Sequence, residues 1–179
     1  MKKPILFIAY SFPPINGAGV FRSLYFAQNL GAFGYKPYVL TLTEEDIKAD
    51  KMKMDKGLLD LLPPEVEIIR TPNKRPRKIT DFFQKARLFR LVWFLAYPLF
   101  WEYAARWPKS SLSTALETIK KNDIQLIYTT SGPYSSVLLG HWLKKRTGLP
   151  WVIDLRDPFT DGYPWRWPSK LHWYGSRLM

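Results

Sequence analysis

The fold is decided by the run Ile5-Leu6-Phe7-Ile8-Ala9-Tyr10, which ends at the turn residues Ser11-Phe12-Pro13-Pro14. A continuous apolar run without alternation predicts a strand that is buried on both faces, as in a parallel sheet. Beyond a loop that contains glycine, apolar residues recur at the three- and four-residue spacing of a helix: Val20, Leu24, Ala27 and Leu30. Residues 4–43 are therefore predicted to form a strand, a loop, a helix and a second strand, with a right-handed crossover.

The alternation of strands and helices continues along the chain. After the second strand at 38–42, further strands are predicted at 66–70, 124–129 and 151–155. Helices are predicted at 18–33, 80–97, 112–119 and 134–147 and from Ser169 onwards, with Gly34 and Gly148 closing two of them. Residues 44–62 are expected to be a surface excursion with some helix. The pattern predicts an α/β protein with a Rossmann-like three-layer fold and a mostly parallel sheet, and residues 1–179 are expected to form a single domain.

Composition excludes several classes of protein. The chain has 27 Lys and Arg against 15 Asp and Glu, a net charge of +12, and its 16% of aromatic residues speaks against a disordered tail. It has no cysteine, which excludes disulfides, thiolate metal sites and cysteine nucleophiles. His141 and His172 lack metal-ligand spacing, and we expect no metal site. The longest uncharged apolar run, Leu91 to Trp101, has eleven residues, well short of the roughly 20 that span a bilayer.

Three loops follow the carboxyl ends of predicted strands, where open parallel sheets bind their ligands. These loops are residues 11–19, 130–136 and 154–161, and each is rich in glycine, proline, hydroxyl groups or charge. Their agreement is stronger evidence for a ligand site than any one loop provides.

The first loop ends in Asn16-Gly17-Ala18-Gly19, which opens the predicted helix. Backbone N–H groups at a helix start suit a phosphate or another anion, and glycines let a ligand come close to the backbone. A dinucleotide fingerprint is not expected, because Arg22 occupies its third glycine position. The alternative is that the glycines serve only the path of the backbone.

The other two loops carry paired charges and hydroxyl groups. Asp154 and Arg156 fall on one side of the last strand with Asp157 at its mouth, so two carboxylates flank an arginine and suit a hydroxylated substrate. The alternative is an internal ion network at the strand end. Ser131 and Tyr134 stand at a helix start, where they either bind an anion or a sugar hydroxyl or cap the helix.

A basic segment lies beside an aromatic one in the middle of the chain. Residues 70–90 contain eight Lys and Arg and one acid, and residues 91–101 are mainly aliphatic and aromatic. The pair predicts contact with an anionic membrane surface through Arg87, Arg90, Trp93 and Phe94. The alternative for the helical region 82–107 is packing against the core or a partner protein. Nucleic acid is not expected as a partner, because no nucleic-acid module is recognisable.

Together these stretches resemble a known family. The order is Tyr10-Ser11-Phe12-Pro13-Pro14, the glycines and Arg22, then Thr129-Thr130-Ser131-Gly132-Pro133-Tyr134-Ser135-Ser136, then residues 148–159 with Asp154-Leu155-Arg156-Asp157-Pro158-Phe159. This order is similar to the N-terminal domain of the family 4 glycosyltransferases, which have the two-domain GT-B architecture. The resemblance covers nearly the whole chain. It implies a retaining transfer of sugar from a nucleotide-sugar co-substrate, with no metal and no other cofactor.

The resemblance also implies roles for the candidate residues. Four of them would face the donor phosphates and sugar: Gly17, Ala18, Gly19 and Arg22. Three would line the acceptor side: Ser131, Tyr134 and Asp154. Asp157 and Arg156 would be the catalytic residues that orient the acceptor.

The donor-binding domain of that family does not occur within these 179 residues. The resemblance therefore implies an acceptor-side domain, incomplete at its C-terminus, that does not transfer sugar by itself. Its acceptor would be a glycan or a lipid-linked molecule of surface polysaccharide synthesis, and its place would be cytoplasmic or peripheral on the cytoplasmic membrane face. The alternative function is a non-catalytic Rossmann-like module that binds a membrane or a partner protein.

Overall fold

Five parallel strands form the sheet. The computed structural model describes residues 2–74, 104 and 106–156. The strands are β1 (Lys3–Ile8), β2 (Tyr35–Leu42), β3 (Glu67–Thr71), β4 (Leu126–Thr130) and β5 (Trp151–Asp154), in the spatial order β3-β2-β1-β4-β5. Each neighbouring pair runs parallel. The predicted fold class, α/β and Rossmann-like with a mostly parallel sheet, is confirmed.

The strand β1 lies at the centre of the sheet, as its unbroken apolar run predicts. It pairs with β2 from Lys3 opposite Tyr35, and with β4 from Ile5 opposite Leu126. Its inner residues Leu6 to Ile8 are fully buried. A strand that is buried on both faces has no side that meets water, so its sequence is apolar at every position and does not alternate between apolar and polar residues.

The described residues contain four α-helices and two 3₁₀ turns. The helices are α1 (Ala18–Leu30), α2 (Glu44–Ala49), α3 (Trp107–Lys121) and α4 (Ser135–Thr147), and the turns are Gly31–Phe33 and Lys56–Leu58. One apolar cluster joins Leu6 and Ile8 to α3 and α4, and a second joins Phe7 to Ala27 of α1. The helices therefore cover opposite faces of the sheet, and the molecule has three layers.

Two predictions about the first half of the chain need correction. The helix expected at 18–33 is α-helical only to Leu30 and continues as the 3₁₀ turn, which Gly34 closes at φ 81°. Residues 44–62 do not lie wholly on the surface, because Ile47 is fully buried. The Thr43 hydroxyl accepts a hydrogen bond from the Asp46 N–H and so starts α2, which carries Ile47 into the core.

Several predictions concern residues outside the described part of the chain. They are the helix at 80–97, the helix from Ser169, most of the region 82–107, and the membrane-surface residues Arg87, Arg90, Trp93 and Phe94. Within residues 2–74, 104 and 106–156, no helix combines the length and the apolar character needed to cross a membrane.

Close packing of α4 against the sheet depends on Gly140. The Trp151 indole N–H donates to the Thr129 hydroxyl over 2.8 Å. A Cβ added at Gly140 would lie 2.6 Å from both Thr129 Oγ1 and Trp151 Nε1. Because the indole is rigid and Thr129 is fully buried, neither group can move aside while keeping this hydrogen bond.

We expect Gly140→Ala to destabilise the protein by about 1–3 kcal/mol, the usual range for overpacking a core. Urea unfolding followed by tryptophan fluorescence measures this change. The control is Lys145→Ala, at an exposed position of the same helix, which should shift the free energy of unfolding far less. Equal unfolding midpoints for the two variants would show that the contact relaxes.

Candidate functional site

Three loops meet where β1, β4 and β5 end, an edge of the sheet that we call the carboxyl edge. They are the loop from β1 to α1, the loop from β4 to α4, and the residues that follow β5. The strands β1 and β4 are neighbours, but the helices that follow them cover opposite faces of the sheet. Such a switch point opens a crevice between the two loops. The loops that the sequence singled out lie around this crevice.

Arg156 touches all three loops. Its backbone N–H donates to the Ser131 hydroxyl over 2.8 Å. Its guanidinium lies against two glycines: a Cβ added at Gly19 would overlap Nη1 and lie 3.3 Å from Cζ, and a Cβ added at Gly132 would lie 3.4 Å from Nη1. One side chain from the end of β5 thus contacts the first turn of α1 and the loop after β4.

An ion pair makes a second connection between the same elements. Arg22, on α1, donates from Nε and Nη2 to the two carboxylate oxygens of Asp154, over 2.8 and 2.5 Å. The Thr130 hydroxyl donates to Asp154 Oδ2 over 3.0 Å. The side chain of Asp154 is 11% exposed and that of Arg22 is 51% exposed. An enclosed carboxylate therefore fastens α1 to β4 and β5.

These neighbours determine the charge of Asp154. Hydrogen bonding from Arg22 is the main cause that lowers the pKa of the Asp154 carboxyl, with Thr130 adding to the effect and burial opposing it. The same hydrogen bonds raise the pKa of the Arg22 guanidinium. Burial, with the charge of Asp154, raises the pKa of the Tyr128 hydroxyl. Near neutral pH the cluster holds a charged acid, a charged arginine and a protonated tyrosine.

Gly17 and Gly19 have different surroundings. Gly17 is extended, with φ −172° and ψ 155°, and a Cβ added there would meet nothing within 4 Å. No side chain caps α1, and no acidic residue lies in its first turn. The space above Gly17 is therefore open beside a helix N-terminus, whereas the space at Gly19 is filled by Arg156.

The contacts bring together most of the residues that the sequence singled out: Gly19, Arg22, Ser131, Asp154 and Arg156. An ion network does exist at the end of β5, but Asp154 pairs with Arg22 rather than with Arg156. The buried Ser131 hydroxyl binds the backbone of Arg156, while α4 has Tyr134 at its N-cap position and no side-chain cap. Asp157 lies outside the described residues.

Sequence reasoning missed Arg70, which holds the first loop in place. Arg70 donates from Nη2 to the Pro13 carbonyl over 2.9 Å and from Nη1 to the Leu42 carbonyl over 3.0 Å. The Asn16 N–H donates to the Lys53 carbonyl over 2.8 Å and braces the same loop. The available signal was an arginine at the end of the apolar strand predicted at 66–70.

Sequence reasoning also missed an aromatic pair beside the ion pair. The rings of Phe26 and Tyr128 stack with centroids 5.2 Å apart and planes at 19°. Tyr128 precedes Thr130 by two positions, so both side chains lie on the α1 face of the sheet. The signal was an aromatic residue at an inner position of the strand predicted at 124–129.

Metal ligands are not assembled in the described part of the chain. There, no three His, Asp or Glu side chains gather closely enough to hold a metal ion. Asp154, the acid at the crevice, has both oxygens engaged by protein donors. That the chemistry uses no metal stays a prediction.

Comparison with known proteins shows that the fold of this chain is similar to that of several solved structures. No protein-family model and no curated protein matches the sequence. Among the solved structures that are similar is the C-terminal domain of a hydrogenase from Pyrococcus furiosus, with 18% identity over 87% of this chain and 93% of that chain and a TM-score of 0.49. Two others are glycosyltransferases. One is from Rickettsia africae (18% identity, 85% of this chain and 29% of that chain, TM-score 0.43), and the other is SnogD from Streptomyces nogalater (19%, 87% and 33%, 0.45). This chain thus spans about a third or less of the two glycosyltransferases. At these identities and TM-scores the likeness carries no argument about activity.

Replacing Asp154 with Asn tests the ion pair that fastens α1. Because the pKa of Asp154 is lowered in the folded protein, its contribution to stability is present above the unfolded value near 4 and is lost as the pH falls through the folded value. We expect the unchanged chain to exceed Asp154→Asn in free energy of unfolding by about 1 kcal/mol at neutral pH, and by nothing in strong acid.

Urea titrations from about pH 1.5 to pH 7 measure this difference and reach the acid range in which Asp154 is protonated in the folded protein. The control is Glu67→Gln, which breaks an exposed pair with Lys36 and should change stability less. A stability difference that does not depend on pH would show that the charge of Asp154 is not its cause.

Proposed function

We propose that this chain is the N-terminal, acceptor-binding part of a retaining glycosyltransferase that uses a nucleotide-sugar donor. The observation that supports this most is the contact of Arg156 with Gly19, Ser131 and Gly132, because it joins three loops around one crevice. The same loops carry the sequence resemblance. A crevice at the switch point of a parallel sheet is where Rossmann-like folds bind ligands.

The donor side of the proposed site is the start of α1. Open space above Gly17 lets a ligand reach backbone N–H groups at a helix N-terminus, which attract phosphate. Gly17 and Ala18 are therefore proposed to face the donor phosphates and sugar, whereas Gly19, which the sequence also placed there, is covered by the Arg156 guanidinium. Arg22 supports this side by fastening α1 to β5, because its charge is already met by Asp154.

The acceptor side is formed by the loops after β4 and β5. Ser131, Tyr134 and Asp154 are proposed to line it. Ser131 and Asp154 bind other groups of the protein, so they act by holding the shape of the crevice. Asp157 and Arg156 are the proposed catalytic residues, with Asp157 orienting the acceptor hydroxyl.

In a retaining transfer the bond between the anomeric carbon and the donor phosphate oxygen breaks. The acceptor oxygen then bonds to that carbon on the same face, and the leaving phosphate takes the acceptor proton. Asp157 therefore positions the hydroxyl without having to deprotonate it. In an inverting transfer Asp157 would be the general base. The proposed chemistry uses no metal and no cofactor besides the nucleotide sugar.

The proposed acceptor is a glycan or a lipid-linked molecule of surface polysaccharide synthesis, handled in the cytoplasm or at the cytoplasmic membrane face. The proposed membrane contact is the set Arg87, Arg90, Trp93 and Phe94. The charge of residues 70–90 favours a second candidate function, a non-catalytic module that binds an anionic membrane or a partner protein. No nucleic-acid partner is proposed.

Nuclear magnetic resonance of the isotope-labelled chain tests the first function. We expect a nucleotide sugar from a panel of uridine, guanosine and adenosine diphosphate sugars to shift the amide signals of residues 17–19 and 131–132. Gly17→Val should remove these shifts and lower the melting temperature only slightly. The extended backbone at Gly17 suits any residue and its Cβ space is open, so the variant loses only the modest advantage of glycine over valine at a helix N-cap. The control is Ala32→Val, at an exposed position near the other edge of the sheet.

Two outcomes would contradict parts of this proposal. An unchanged spectrum with every nucleotide sugar and with saccharide acceptors would overturn the glycosyltransferase function. Sugar transfer by the 179-residue chain alone would keep the function but overturn the division between an acceptor side and a separate donor domain.

A further inference from the structure

We infer that Arg156 is the cation that receives a phosphate group of the ligand, and that Gly19 is glycine in order to seat its guanidinium. This inference rests on the proposed function and names the chemistry of one contact within it. The shared chemistry is a phosphate oxygen anion. It is supplied either by the diphosphate of a nucleotide sugar or by the phosphate of a lipid-linked acceptor.

The first step is the reason for glycine at position 19. Gly132 has φ +100°, which by itself favours glycine, but Gly19 lies inside α1, where any residue has an allowed backbone. A Cβ at Gly19 would overlap Arg156 Nη1 and lie 3.3 Å from Cζ. The missing side chain at Gly19 therefore makes room for the guanidinium, and the backbone there is covered by protein. A ligand that approaches this turn meets Arg156 before it meets Gly19.

The second step is that the base of this side chain is held in position. The Arg156 N–H donates to the Ser131 hydroxyl over 2.8 Å, and the Ser131 N–H donates to the Asp154 carbonyl over 2.8 Å. Ser131 is 2% exposed, so the residue that holds the Arg156 backbone is itself buried. The backbone from which the Arg156 side chain extends is consequently fixed at the edge of the crevice.

The third step concerns charge. Three ion pairs occur in the described part of the chain: Lys2–Glu65, Arg22–Asp154 and Lys36–Glu67. Of the two arginines at the crevice, Arg22 is thus neutralised, while Arg156 has no carboxylate within 4.0 Å among the described residues. Arg156 is also exposed.

An exposed guanidinium with an open fork of N–H groups matches the spacing of two phosphate oxygens. A sugar hydroxyl offers neither the charge nor the paired acceptors, so the geometry favours phosphate as the partner of Arg156.

Titration calorimetry of the full 179-residue chain with inorganic pyrophosphate tests the contact. Arg156→Gln removes the charge, and Arg156→Lys keeps the charge but loses the fork. We expect the affinity to fall at least about tenfold for Gln and by less for Lys. The matched control is Arg146→Gln, which removes an exposed arginine at the last turn of α4, and it should bind pyrophosphate as the unchanged chain does.

Gly19→Ala tests whether Gly19 positions the Arg156 guanidinium, and it leaves the charge of Arg156 in place. The added Cβ meets only the end of a flexible side chain, so the melting temperature should stay the same or rise while the guanidinium is displaced. The expected signature is a shifted Nε–Hε resonance of Arg156 together with weaker pyrophosphate binding. Unchanged resonance and affinity in Gly19→Ala would show that Gly19 does not seat the guanidinium.

Further titrations distinguish the two sources of phosphate. Uridine diphosphate represents the donor, and sn-glycerol 3-phosphate and vesicles of phosphatidylcholine, alone or mixed with phosphatidylglycerol in equal parts, represent the lipid phosphate. Dependence on Arg156 for uridine diphosphate alone assigns the contact to the donor, and dependence for the lipid probes alone assigns it to the acceptor.

Pyrophosphate that does not bind the unchanged chain, or that binds Arg156→Gln equally well, overturns the inference. The nucleotide-sugar experiment with Gly17→Val still decides the proposed function in that case, because it relies on a different residue.

Discussion

The burial of β1 on both faces and along both edges is the constraint from which the rest of the fold follows. Each neighbouring parallel strand has to be reached by a crossover. The chain therefore passes one face of the sheet through α1 to reach β2, and covers the other face with α3 and α4 around β4 and β5. The helices after β1 and β4 leave in opposite directions, and the crevice at the carboxyl edge results from this strand order. The chemistry of the site then depends only on which residues the loops carry.

The two arginines at the crevice illustrate how position decides the role of a charge. Arg22 sits one turn into α1, opposite a carboxylate that is largely enclosed, and its bidentate pairing with Asp154 connects the helix to the last strand. Arg156 sits beyond the strand end, where its backbone is held and its guanidinium rests on a glycine. Thus one arginine, Arg22, forms an ion pair that connects a helix to a strand, and the other, Arg156, is an exposed cation.

Local patterns in the sequence were enough to predict most of the architecture. An apolar run without alternation identified β1, and glycines after helical spacing identified two helix ends, Gly34 and Gly148, which both have positive φ. The burial of Ile47 was not predictable in this way. The segment around Ile47 is rich in charged residues, which predicts a surface position. Ile47 is buried only because a short capped helix turns its side chain towards the core.

The order of strands and helices and the three candidate loops could be read from the chain, because burial, helix ends and turns each impose a pattern on neighbouring residues. The sequence did not reveal which groups the charged side chains pair with, or why a particular position has to be glycine. Arg22 and Asp154 are 132 residues apart, and no spacing rule relates them. Gly19 looked like a place for a ligand, yet a side chain from the far end of the described chain fills it. Such contacts come into being only when parallel strands align their ends at one edge, so the tertiary structure alone assigns them.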